Sequence, residues 1–171
     1  MSPFRAWCCT VIADLAISGL CPAGAATATT TSTRQAVKLE PKAIVAAVRS
    51  AAYSPATRVA AKVGTPSCPT AIKTAVGLTF QCLVPFDTTP VAFLVTIGTG
   101  GTLDVRPTFP VVSLASARLL AGANATCGAA KAKFVVLPIG ATLACTHGSG
   151  SSIRTVTFRV IDQFGALQPV P

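Results

Sequence analysis

The segment Gly77-Leu78-Thr79-Phe80-Gln81-Cys82 returns as Gly140-Ala141-Thr142-Leu143-Ala144-Cys145, 63 residues further along the chain. The correspondence continues at the same offset, with Phe93, Val95 and Ile97 answered by Val156, Phe158 and Val160. Alternate residues of a strand share one face, so what recurs is the inward face of a strand pair. A further cysteine precedes each copy, Cys68 in the first and Cys127 in the second. The pattern predicts an α+β fold of two tandem modules, each a helix packed on a small antiparallel β-sheet and closed by one disulfide.

Around the first copy, residues 78–84 and 91–97 read as strands, the second with Val91, Phe93, Val95 and Ile97 on one face. Residues 85–90, bounded by Pro85 and Pro90, read as the hairpin loop between them. A glycine-rich turn at 98–101 then leads to a short third strand at 102–105. Upstream, Pro41 suits the first position of a helix, and Ile44, Val45, Val48, Ala51 and Ala52 fall on one helical face. That helix is expected to end before Ser54-Pro55. The proline-rich stretch 65–69 is expected to turn the chain into the cysteine loop. In the second copy a shorter helix is expected at 113–120 and a long strand at 153–161, with Val156, Phe158 and Val160 inward and Arg154 and Arg159 outward. The modules are placed at 39–108 and 109–171, in a position to share one continuous sheet.

The N-terminus has the pattern of an export signal: Arg5, a mostly apolar stretch over 8–21, and Ala23-Gly24-Ala25 as a small-residue cleavage site. Residues 1–25 are therefore expected to be a signal peptide, and 26–38 a flexible Thr/Ala-rich leader. Leu20 before Cys21 and Trp7 before Cys8 are not the small residues that a lipid anchor requires ahead of its cysteine. No run of about 18 apolar residues lies elsewhere, so no transmembrane span is expected in the mature chain. Cleavage would remove Cys8, Cys9 and Cys21 and leave four cysteines, for which three pairings exist. The repeat selects Cys68–Cys82 and Cys127–Cys145, because a duplicated fold duplicates its staple. Such bridges form and persist outside the cytoplasm.

The formal net charge is +9 although only 11% of residues are charged, so the basic character reflects few acids more than dense cations. Beyond the signal the acids are Glu40, Asp87, Asp104 and Asp162, and the cations are scattered, which argues against a nucleic-acid surface. Both cysteine loops do hold lysine: Lys73 in the first, Lys131 and Lys133 in the second. These three are the candidate contacts for an anionic ligand, such as cell-wall polymer or lipid headgroups, on a paired basic rim. A zinc site would bring two cysteines within two to four residues of each other. Here the separations are 14 and 18, and His147 is the only histidine, so no metal or cofactor is expected. No paired carboxylates, activated nucleophile or complete phosphate loop stands out, and a non-catalytic protein is expected.

The helix, Ser67-Cys68-Pro69, the Gly77 to Cys82 segment with Phe80 two places before its cysteine, and the Val95-Thr96-Ile97 strand with its glycine turn resemble domain-of-unknown-function family 4333. These are small exported or membrane-anchored actinobacterial domains. Residues 41–106 carry the resemblance, whereas 113–170 follow it in outline, with Gly128 in place of the proline and Leu143 in place of the aromatic. The resemblance implies a cell-envelope location and an intramodule disulfide, and brings no catalytic residue. The chain is thus expected to be an exported envelope protein acting as a binding or structural module, whose partner could be another envelope protein. The alternative expectation is a protein-binding inhibitor, since tandem disulfide-closed helix-and-sheet repeats resemble the layout of the beta-lactamase inhibitory protein.

Overall fold

The computed structural model describes residues 38–72, 74–122 and 124–171, and only the backbone of Ser151. The expected signal peptide, residues 26–37 of the leader, and Lys73 lie outside the described residues. The described chain is α+β, with two helices, antiparallel sheets and two disulfides.

Helix α1 (Pro41–Arg58) starts at the expected proline. Ile44, Val48, Ala52, Ala56 and the capping Val59 recur every three or four residues and are all buried. The expected stop before Pro55 is not observed. Proline removes one intrahelical N–H, but Pro55 lies in the last turn with its ring buried, and continuation brings Ala56 and Val59 into the core. That apolar burial outweighs the missing bond.

Strands β1 (Thr79–Phe86), β2 (Thr89–Ile97) and β3 (Leu103–Pro107) form an antiparallel sheet in that order. The expected six-residue loop at 85–90 is instead a two-residue turn, since Pro85 pairs with Pro90 and Phe86 with Thr89. Asp87 takes φ 52, which the first central position of a tight hairpin requires and which aspartate tolerates. The prolines fit because ladder positions alternate: beside the closing pair, neither owes an N–H to the other strand. Val91, Phe93, Val95 and Ile97 are all buried, with Val84 and Phe86 beside them. Outside β1, Ser67 and Leu83 exchange two backbone hydrogen bonds of 2.8 Å. This sets Cys68 next to Cys82, to which it is bonded.

Strand β4 (Val111–Ser113) leads into α2 (Leu114–Ala121), which the Ser113 side chain caps by accepting from Ser116 N at 3.2 Å. The remaining strands are β5 (Thr126–Cys127), β6 (Phe134–Val136), β7 (Thr142–His147), β8 (Arg154–Val160) and β9 (Leu167–Val170). Four of them form an antiparallel sheet in the order β5-β7-β8-β9, and Cys127 is paired and bonded with Cys145. Phe158 and Val160 are buried, Val156 is half-buried, and Arg154 and Arg159 are exposed.

Strands β4 and β6 pair separately as a two-stranded ribbon. Its two faces serve two cores: Val111, Phe134 and Val136 pack with α1 and the first sheet, whereas Val112 and Val135 pack with α2 and the second. The ring of Phe134 meets that of Phe86 edge-on, 5.8 Å between centroids. A ribbon buried on both faces carries no polar alternation. The two larger sheets are therefore not continuous with each other: the apolar ribbon lies between the cores.

Equivalent bonds recur at the repeat offset. Gly77 N donates to Ile97 O at 2.7 Å and Ile97 N to Leu78 O at 2.9 Å. Gly140 N donates to Val160 O at 2.7 Å, and Val160 N to Ala141 O at 2.9 Å. Both glycines have positive φ, 81° and 87°.

Candidate functional site

A cavity of about 660 Å³ forms an open groove between the end of α1, β3 and the segments around Phe109, Ile139 and Phe164. Three large apolar side chains border it while exposed: Phe109 at 47%, Ile139 at 58% and Phe164 at 60%. Isolated exposed apolar residues are ordinary, but several converging on one concavity mark an interaction surface.

Local geometry holds Phe164 in place. Asp162 Oδ1 accepts from Phe164 N and Ala166 N, both at 2.9 Å, so the carboxylate organises the turn between β8 and β9. Arg58, in the last turn of α1, donates to Phe164 O at 2.7 Å and lies 5.6 Å from its ring centroid. One guanidinium thus ties the first core's helix to the second sheet's turn. Arg106 and Asp104 add charge along the β3 side, and Thr108 Oγ1 is buried there without a hydrogen-bond partner.

The lysines expected to form a basic rim have different surroundings. Lys133 Nζ bonds Asp87 Oδ2 at 2.8 Å and the Ala60 carbonyl at 3.0 Å, and Asp87 Oδ1 accepts from Lys62 N at 3.0 Å. The ammonium therefore bridges the end of α1 and the β1–β2 turn to the segment before β6, while the Lys133 side chain stays 51% exposed. The hydrogen bond from Lys133, then that from Lys62 N–H, holds the Asp87 carboxyl below the usual carboxylate range. Lys131 is exposed in the loop before β6.

Cys68, Cys82, Cys127 and Cys145 are taken up in the two disulfides. Among the described residues, no three or more His, Cys, Asp or Glu side chains gather as a metal site. His147 ends β7 opposite Arg154, a cation where a general base would need an orienting acceptor. Sequence reasoning missed the groove because its walls come from five separate stretches of chain. The signal within reach was the isolated Phe109 and Phe164, each flanked by turn residues and outside any apolar period. Comparison with family models, curated proteins and solved structures finds no match to this chain.

Proposed function

We propose that this chain is an exported cell-envelope protein that binds another protein at the groove between its cores, without catalysis. The observation that carries this reading is the convergence of exposed Phe109, Ile139 and Phe164 on one concavity. Large apolar anchors ringed by polar groups are where protein interfaces concentrate their binding energy. Two disulfides favour an oxidising compartment, in keeping with the export pattern at the N-terminus. No described helix is long and apolar enough to cross a membrane.

The architecture we propose is two copies of one module, the first a member of domain-of-unknown-function family 4333. The recurring Gly77 and Gly140 hydrogen bonds support it. So does the register: Phe80 with Val95 and Cys82 with Phe93 become Leu143 with Phe158 and Cys145 with Val156, each displaced by 63 residues. The inhibitor-like reading is one form of this function, in which the partner is an enzyme. It is favoured over a purely structural role by the aromatic wall of the groove. Binding of anionic wall polymer would draw on Lys73, Lys131 and Lys133, the last of them paired with Asp87.

The test is affinity capture from envelope extract with the disulfide-intact mature chain and with a Phe109→Ala/Phe164→Ala variant. Proteins retained by the first and lost by the second are expected. Identical captures, or retention of anionic polymer alone, would count against groove binding.

A further inference from the structure

We infer that β3 is a self-complementary edge through which two copies of the chain pair. β3 is the outer strand of its sheet. Gly98 N donates to Thr102 O and Thr108 N donates to Ala92 O, both at 2.8 Å. Backbone groups alternate in direction along a strand, so Thr102, Asp104, Arg106 and Thr108 face β2, and Leu103, Val105 and Pro107 face away. Among the described residues this edge is unpaired, and it offers the N–H and C=O of Leu103 and Val105 and the carbonyl of Pro107.

The side chains select the occupant. Antiparallel pairing of β3 with a second β3 about Val105 sets Asp104 of each copy opposite Arg106 of the other, twice across the two-fold axis. The two Val105 residues exchange a pair of hydrogen bonds, and each Leu103 N–H meets the other copy's Pro107 carbonyl. Centring the pair on Asp104 or on Arg106 would oppose like charges, so one register alone is favoured. Asp104 and Arg106 are exposed, and the only ion pair among the described residues is Lys133 with Asp87. Their charges are thus available across the edge.

The other sheet gives an independent contrast. Pro169 pairs with Phe158 as Val105 pairs with Val95, so proline stands at the equivalent centre of the outer strand β9. It removes the outward N–H there, a recognised protection of sheet edges. Gln168 opposite Arg159 takes the place of Asp104 opposite Thr96, with the strand shifted by one residue. One edge is blocked and uncharged, and the other is open and charged in a self-matching order. Asp104 to Pro107 also line the groove, whereas Phe109 and Phe164 lie outside β3, so the Phe109→Ala/Phe164→Ala variant tests partner capture without altering the β3 edge.

Sedimentation equilibrium of the disulfide-intact chain tests this. A five-residue strand pair is a small interface, so the weight-average mass should rise from one chain toward two with a Kd on the order of 100 µM. Asp104→Arg and Arg106→Asp should each weaken association at least tenfold. The double variant should recover it, and mixing the two single variants should form heterodimers. Slowed Val105 amide exchange on association, measured on the wild type, checks the location without any variant. A monomer up to 1 mM, or a dimer indifferent to the swaps with Val105 unprotected, would overturn the inference. Loss of capture by the Phe109→Ala/Phe164→Ala variant would leave the proposed function standing in that case.

Discussion

The two disulfides close rings of nearly equal size in separate cores, and this makes their removal a quantitative test. The sequence separations are 14 and 18 residues. In the chain-entropy description, rings of about 15 and 19 residues constrain the unfolded chain by about 3.0 and 3.2 kcal/mol. Cys82, Cys127 and Cys145 are fully buried, so replacing either pair by alanine adds a similar small loss of packing. Urea denaturation of Cys68→Ala/Cys82→Ala and of Cys127→Ala/Cys145→Ala should therefore show nearly equal destabilisation. At a slope of about 2 kcal/mol per molar, each midpoint should fall by about 1.5 M. Because the bridges share no partner, removing both should lose about 6 kcal/mol. That is much or all of the roughly 5–15 kcal/mol a domain has. A cost below about 1 kcal/mol for either pair, or a difference above about 1.5 kcal/mol between them, would contradict equivalent staples in the two cores.

Three further outcomes are expected. The Asp87 carboxyl is lowered in the folded chain, so its contribution is full above the unfolded value of about 3.9 and is lost as pH falls through the lower folded value; acid titration of wild type and Asp87→Asn should converge there, and parallel curves would contradict the clasp. Gly77→Ala and Gly140→Ala should each cost roughly 1–2 kcal/mol through their positive φ, with no clash since nothing lies within 4 Å of the added carbon; calorimetry finding one neutral and the other severe would count against equivalent turns. Val111→Ala and Val112→Ala, adjacent but facing different cores, should each cost roughly 2 kcal/mol and add; strong coupling between them in chemical denaturation would contradict a two-faced ribbon.

The strands built on alternation were legible in the sequence, because Phe93, Val95 and Phe158 each face a core while their neighbours face out. Where alternation fails, legibility failed with it. The run Phe134-Val135-Val136-Leu137 shows no period of two, since both faces of β6 are covered, and its pairing with β4 spans more than twenty residues of chain. Pro55, Pro85 and Pro90 read as interruptions, yet each occupies a position where its missing N–H has no partner to lose or is outweighed by burial. The four additional residues of the second cysteine loop are the local signal of a departure from the first copy. They fall in the segment that supplies Lys133 and β6. The pairing of Lys133 was not legible, because Asp87, 46 residues away in sequence, becomes its neighbour only through the tight hairpin.

The most direct test of the account is peptide mapping, without reduction, of the protein recovered from its envelope fraction. Mass spectrometry should find a mature N-terminus near residue 26 and two linked peptide pairs, Cys68 with Cys82 and Cys127 with Cys145. Free thiols at these positions, a bridge joining the two cores, or retention of residues 1–25 would contradict an exported chain with one staple in each core.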